Sequence, residues 1–124
     1  NPPVGNVDPI YDYAHGSGAS VTGGYVYRGP IASLQGKYFF GDFVQSRIWS
    51  IEYNGSAVSE NIEWTSLLMP DAGTIGSIAS FGEDGAGNLY IVDFGGEIFR
   101  IQQATRAITV AASDITSDFS MRIA

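Results

Sequence analysis

Short runs of aromatic and β-branched residues, separated by turns rich in glycine, asparagine and proline, dominate the pattern of hydrophobic positions. Residues 37–43 and 47–53 form one pair of such runs, and residues 88–94 and 97–102 form a second. Runs of this length and composition predict β-strands. The dipeptide Asn54-Gly55 after the first pair is a strong hairpin signal and predicts a further strand beyond it.

The two pairs of runs are copies of each other. Each copy has a strand that ends in Asp-Phe, a short polar or glycine-rich turn and a second strand. Asp42 and Asp93 hold equivalent positions about 50 residues apart, which is the length of one β-propeller blade. The sequence therefore predicts an all-β fold of about two four-stranded blades. Because a propeller blade buries both faces against its neighbours, two blades alone are expected to be incomplete.

The glycine and proline positions divide the chain into four predicted parts. These are a surface segment leading into the propeller (1–23), a first blade (24–69), a second blade (70–111) and a tail (112–124). The pattern leaves the tail open between a short helix and one more strand. The remaining predicted strands of the two blades are 25–28, 62–67, 75–81 and 107–111.

Composition and charge exclude several classes of partner. Thirteen acidic against six basic residues give a net charge of -7, which is the wrong sign for binding nucleic acid. No apolar run approaches the roughly 18 residues needed to cross a bilayer, so no membrane span is predicted. The absence of cysteine excludes a disulfide framework and a thiolate nucleophile. The start at Asn1, with no signal-like segment after it, favours a processed product or a fragment.

A series of motifs in one order carries a family resemblance. The motifs are YAHG at 13–16, VTGGYVYRG at 21–29, LQGKYFFGDF at 34–43, SFGED at 80–84 and GNLY at 87–90. Together they resemble the C-terminal part of the glucose/sorbosone dehydrogenase family. These six-bladed propellers include soluble sugar dehydrogenases dependent on pyrroloquinoline quinone (PQQ) and the hedgehog-interacting proteins. The resemblance covers only the last third of the family's fold, and it implies a secreted or periplasmic protein.

The same resemblance implies that catalytic groups lie outside this chain. In catalytic members, the histidine base and the calcium ligands belong to earlier blades, so no catalytic or metal-binding residue is expected here. PQQ and calcium are expected only in a complete parent protein. The quinone-binding lysine and arginines of the family would match residues 44–46 and 74–77, which contain no lysine or arginine. Only a small shift of this match would bring Arg47 into a quinone site.

Other polar and aromatic residues have structural and functional interpretations. His15, Arg28, Gln45 and Arg47 are the candidate ligand-binding residues at the channel end of the blades, although a hydrogen bond to a neighbouring loop also explains His15. Asp42 and Asp93 recur in both copies, so we expect them to cap turns. Residues 83–88 are interpreted as a solvated turn and not as a calcium loop. Most tyrosines and both tryptophans are interpreted as packing between blades and not as sugar-stacking platforms.

Two functions from different classes follow from these observations. In the first, the chain is the C-terminal two-blade segment of a sugar dehydrogenase-like propeller, whose remaining blades carry any oxidation of an aldose. In the second, the chain is a non-catalytic module that binds a carbohydrate or protein partner. Three copies of that module would close a six-bladed ring, because a head-to-tail interface must close to cover both ends.

Overall fold

The first half of the chain folds into a four-stranded antiparallel sheet. The computed structural model describes residues 4–5, 7–16, 19–103 and 119–123. The sheet contains β1 (Val21–Val26), β2 (Tyr38–Asp42), β3 (Arg47–Tyr53) and β4 (Val58–Glu63), which pair in chain order. A single turn of 3-10 helix, Ala32–Leu34, lies in the connection between β1 and β2.

The second half forms a five-stranded sheet built in the same way. Its strands are β5 (Met69–Pro70), β6 (Ile78–Glu83), β7 (Leu89–Asp93), β8 (Ile98–Gln103) and β9 (Phe119–Ile123). The antiparallel order β6-β7-β8-β9 repeats the order of the first sheet. The two-residue β5 adds a parallel pairing at the outer edge, against β9. The prediction of an all-β fold with about two propeller blades is confirmed.

The repeat of the sequence is also a repeat of strand register. In the first sheet Phe40 is the partner of Trp49, and in the second Ile91 is the partner of Phe99. The inner strands agree as well, since Val21 pairs with Asp42 and Ile78 with Asp93. Residues of β2 and β3 therefore have identifiable counterparts in β7 and β8.

Three strand positions differ from the predicted ones, and one of them is β6, which was predicted over 75–81 but covers Ile78–Glu83. The inner strand was predicted over 25–28, but β1 covers Val21–Val26, with a register shift at its two glycines. The glycines mark a bulge inside the strand and not its beginning. The outer strand was predicted over 62–67, but β4 starts at Val58 because Asn54 closes a tight turn. Its Oδ1 accepts hydrogen bonds from the backbone N–H groups of Ser56 and Ala57, both at 2.9 Å.

The fourth strand of the second sheet comes from the tail. The strand predicted over 107–111 lies outside the described residues. The place beside β8 belongs instead to β9, at Phe119–Ile123, in the segment that the sequence pattern left open between helix and strand.

The main hydrophobic core lies between the two sheets. Alternate residues of β2, β3, β7 and β8 point into this space, as the pleat of a β-strand requires. Its buried members are Tyr27, Ile31, Leu34, Phe39, Ile48, Trp64, Leu68, Ile78, Phe81, Leu89, Ile91, Phe99 and Ile101. The sheets therefore face each other as neighbouring blades do.

The inner strands approach each other closely. The hydroxyl of Thr22 donates a 3.0 Å hydrogen bond to the backbone carbonyl of Ile78. A Cβ atom at Gly41 would lie 3.0 Å from Cδ1 of Ile78, so a larger residue there would crowd the contact. This junction fixes the spacing between the blades.

Truncation of a side chain in the inter-blade core should unfold the protein much more readily than truncation of an exposed one. Phe39 is 0% exposed, whereas Phe94 is 76% exposed. We expect Phe39→Ala to lower the free energy of unfolding by about 3–5 kcal/mol, through lost burial and the cavity left behind. The matched control Phe94→Ala should cost less than about 1 kcal/mol. Urea denaturation measures both, and equal costs would contradict the packing described.

Candidate functional site

Asp42 ties the start of the inner strand to the turn between β2 and β3. Its Oδ2 accepts hydrogen bonds from the backbone N–H groups of Ala19 (2.6 Å) and Ser20 (2.9 Å). Its Oδ1 accepts from the backbone N–H groups of Val44 (2.9 Å) and Gln45 (2.8 Å). The carboxylate is completely buried. Four backbone donors therefore compensate one buried charge.

Asp93 makes the equivalent set of contacts in the second blade. Its Oδ1 accepts from the N–H groups of Gly76 (3.1 Å) and Ser77 (2.7 Å), and its Oδ2 accepts from Gly95 (3.2 Å). The prediction that both aspartates cap turns is confirmed. Because the buried aspartate makes the same backbone hydrogen bonds in both blades, its role is to stabilise the blade and not to take part in a reaction.

One contact of Asp42 has no counterpart on Asp93. The hydroxyl of Tyr13 donates a 2.9 Å hydrogen bond to Oδ2 of Asp42. Burial alone would raise the pKa of Asp42, but the hydrogen bonds from Gln45, Ser20, Ala19 and Tyr13 outweigh it and lower the pKa to about 2. Burial, followed by the bond to Asp42, raises the pKa of Tyr13 to about 12. The segment before β1 is thus fastened to the first blade.

The outward side of the first sheet is aromatic. We name it the leading face and define it by Tyr38, Phe40, Trp49 and Ile51. The rings of Tyr38 and Phe40 stack at 5.9 Å between centroids, and those of Phe40 and Trp49 stack at 5.7 Å. These residues form a second hydrophobic cluster, separate from the inter-blade core. The first sheet therefore has apolar groups on both sides.

A segment that precedes the first blade covers most of the leading face, so that Phe40, Trp49 and Ile51 are only 4%, 8% and 3% exposed. Tyr11 lies 5.8 Å from Phe40 between ring centroids, and Tyr13 lies 5.2 Å from Trp49. Between this segment and the sheet is a cavity of about 560 Å³. It is lined by Pro9, Ile10, Tyr11, Asp12, Tyr13, Val21, Tyr38, Phe40 and Ile51. This apolar cleft is the strongest candidate site among the described residues.

The repeat identifies what kind of surface the leading face is. Its four residues hold the positions of Leu89, Ile91, Phe99 and Ile101 in the second blade, as the shared strand register shows. All four counterparts are buried between the sheets, with exposed fractions of at most 1%. The leading face therefore has the composition and position of a blade-to-blade interface with no second blade against it.

The outward side of the second sheet is more polar. We name it the trailing face and define it by Tyr90, Val92, Ile98 and Arg100, which alternate with buried residues along β7 and β8. Arg100 donates a 3.2 Å hydrogen bond to the side chain of Gln102 on the same strand. Ile98 is 43% exposed. This face is accessible and mixed in character.

The four candidate ligand-binding residues do not form one cluster. Gln45 and Arg47 lie in and just after the β2–β3 turn that Asp42 caps, and exposed His15 follows Tyr13 near the same end of the sheet. Arg28 lies beyond the opposite end of β1. There its guanidinium donates to Glu83 of the second blade at 3.0 Å. The structure thus separates Arg28 from the other three.

Two clusters of polar side chains, around Lys37 and around Asp84, hold neighbouring parts of the backbone together. Lys37 is buried and contacts Glu60 at 2.7 Å and Glu52 at 3.1 Å. Burial works against its charge, but the hydrogen bonds with the two glutamates outweigh burial and raise the pKa of Lys37. Asp84 caps its turn by accepting from the backbone of Ala86 and Asn88. The interpretation of residues 83–88 as a turn agrees with these bonds.

Neither a metal cluster among the described residues nor a match to a known family model points to a function for this chain. In the part of the chain that the structure describes, no three His, Cys, Asp or Glu side chains lie close enough to hold a metal ion. No described helix is long and apolar enough to cross a membrane. No family model matches the chain, and no solved structure matches it. The resemblance to the sugar dehydrogenase family therefore stays a prediction.

The sequence did not indicate that the Tyr11 and Tyr13 segment lies on the first blade. The sequence repeat was the one feature that could have indicated an apolar outward surface on the first sheet. Assigning each repeat position to a strand face would have placed Tyr38, Phe40 and Trp49 on one outward surface. The fastening of Tyr13 to Asp42 depends on tertiary contact and has no local signal.

Replacing Asp42 should remove a defined part of the pH dependence of stability. The pKa of Asp42 is about 2 in the folded protein, below the ordinary 3.8. Its contribution is therefore fully present above about pH 4 and is lost as the pH falls toward 2. The shift corresponds to about 2 kcal/mol. We expect the stability difference between wild type and Asp42→Asn to shrink by that amount between pH 6 and pH 2.

Urea denaturation at several pH values measures this difference. At pH 6 the Asp42→Asn variant should be less stable by roughly 2–4 kcal/mol, because its amide NH₂ group faces backbone donors. Asp12→Asn, in the exposed part of the same segment, is the control and should change stability by less than about 0.5 kcal/mol. A difference that stays constant with pH would contradict the assigned role of Asp42.

Proposed function

We propose that this chain is a two-blade segment of a glucose/sorbosone dehydrogenase-like β-propeller, in which it forms wall and scaffold. In the closed ring, the leading face packs against the blade that precedes it, and the trailing face packs against the blade that follows. Any oxidation of an aldose by a quinone belongs to the remaining blades of a longer parent protein. A secreted or periplasmic location is part of the same proposal.

The equivalence between the leading face and the inter-blade core carries this proposal. Phe40 and Trp49 hold the repeat positions of Ile91 and Phe99, which are 0% exposed between the two sheets. An apolar face built to this pattern, with Val21 at its edge still 62% exposed, supports a neighbouring blade beyond the Tyr11 and Tyr13 segment. The cleft under Tyr11 and Tyr13 is then part of that interface and not a binding pocket for a small substrate.

The polar groups support a scaffold role and not a catalytic one. Both buried aspartates are saturated with backbone hydrogen bonds, so neither is available as a general base. The candidate residues Arg28 and Gln45 lie at opposite ends of the blade. PQQ and calcium, if the parent uses them, would be held by residues of its other blades.

A second candidate is the non-catalytic module that closes a ring with two further copies of itself. Ile98, which is 43% exposed, favours some partner on the trailing side. In this case a carbohydrate or protein ligand would bind the assembled ring.

A neutral apolar dye tests whether the cleft between the leading face and the Tyr11 segment is open to a neighbour. Nile red suits a chain with a net charge of -7 because it carries no charge itself. The host is the Ile98→Lys variant, whose charged trailing face prevents copies from covering one another. We expect dye fluorescence in the folded protein, and a reduction of several fold when Val21→Lys is added at the edge of the cavity.

The matched control is Val44→Lys, since Val44 and Val21 are 61% and 62% exposed and Val44 does not line the cavity. It should leave dye binding unchanged. Equal dye binding in all variants would remove the basis of the proposal. Aldose-dependent dye reduction by the chain alone, with PQQ and calcium added, would contradict the scaffold role.

A further inference from the structure

We infer that the trailing face of one copy of this chain binds the leading face of a second copy, in head-to-tail order. This inference rests on the proposed function, since it names what covers an unpaired blade face when other blades are absent. The group that covers the cavity beside Tyr11 is the trailing face of a second copy.

The trailing face has the pattern of the surface that already packs in this way. By the shared strand register, Tyr90 and Ile98 hold the positions of Phe39 and Ile48. Phe39 and Ile48 are the residues of the first blade that pack against the second, and they are 0% and 1% exposed. A second copy therefore offers one aromatic and one aliphatic side chain at the places where the internal interface uses them.

The inner strands show a compensating change in volume. Inside the chain, Gly41 faces Ile78, and a Cβ at Gly41 would lie 3.0 Å from Cδ1 of that isoleucine. Between copies, Val92 stands at the Gly41 position and Val21 stands at the Ile78 position. Val21 lacks the Cδ1 atom of Ile78, and this loss offsets part of the volume that Val92 adds at the Gly41 position.

Charge agrees with this arrangement. The guanidinium of Arg100 would approach the leading face, whose cavity is lined in part by the exposed Asp12. In a chain with a net charge of -7, an arginine on an open sheet face is one of few cations available for such a contact. Complementary charge favours head-to-tail contact over contact between two identical faces.

The turns add a repeated ring contact. Phe43 and Phe94 hold the same repeat position, and their rings meet edge to face at 5.7 Å inside the chain. Between copies, Phe94 of one molecule would meet Phe43 of the next in the same way. Between copies Ser80 holds the Thr22 position, and its hydroxyl already donates to the backbone carbonyl of Phe81. The contact between copies is therefore expected to be weaker than the internal one.

Sedimentation velocity of the whole chain, over a wide range of protein concentration, tests this inference. The wild type should exceed the 13.2 kDa mass of one chain and reach a limiting mass. A closed ring limits growth, and three chains correspond to six blades. Val21→Lys blocks the leading face and Ile98→Lys blocks the trailing face, so each variant alone should sediment as one chain.

A mixture of the Val21→Lys and Ile98→Lys variants tests the head-to-tail contact most directly. One intact leading face and one intact trailing face remain, so an equimolar mixture should form 1:1 dimers and nothing larger. Val44→Lys, the control outside both faces, should associate like the wild type, and circular dichroism should show all variants folded. A wild type that stays a single chain at every concentration, or a mixture that fails to form dimers, would overturn the inference. Either result leaves the dye test of the proposed function unaffected.

Discussion

The structure depends on one constraint, which is that a propeller blade has two apolar faces and each must be buried. Inside the chain, one face of each sheet is buried against the other, with Phe39 and Ile91 both at 0% exposure. The leading and trailing faces, which do not pack inside the chain, differ in how their apolar groups are covered. The leading face is covered in part by Tyr11 and Tyr13, whereas the trailing face carries Arg100 among its apolar residues. Both arrangements leave surface that a further blade would bury.

The buried aspartates show how a blade holds its shape while its faces vary. Asp42 and Asp93 accept backbone hydrogen bonds from the strand start and from the turn, so each fixes two chain segments at once. The faces around them differ, since Gly41 in one blade corresponds to Val92 in the other. The aspartate hydrogen bonds keep the backbone of each blade the same, while the side chains on its faces differ. Neighbouring blades can therefore fit each other. The shared hydrogen bonds also explain why recurring acidic residues indicate architecture and not catalysis.

The sequence predicted the elements better than the surfaces. Repeated strands and the Asp-Phe ends were visible because strand pattern and turn chemistry are local properties. The inner strand began earlier than predicted because Gly23 and Gly24 form a bulge, and glycine in a strand resembles a turn when tertiary contacts are unknown. The joining of Phe119–Ile123 to the second sheet and the packing of Tyr13 on Trp49 depend on long-range contacts. No local pattern encodes such contacts.

The most direct measurement of the central claim is a set of nuclear Overhauser effects between the two sheets in the isolated, folded chain. The account predicts strong effects from the Cδ1 methyl of Ile78 to the α-protons of Gly41, and from the ring of Phe43 to that of Phe94. These pairs are far apart in sequence and meet only if the sheets pack as adjacent blades. Intact strand pairing within each sheet, with neither of these effects between the sheets, would contradict the account.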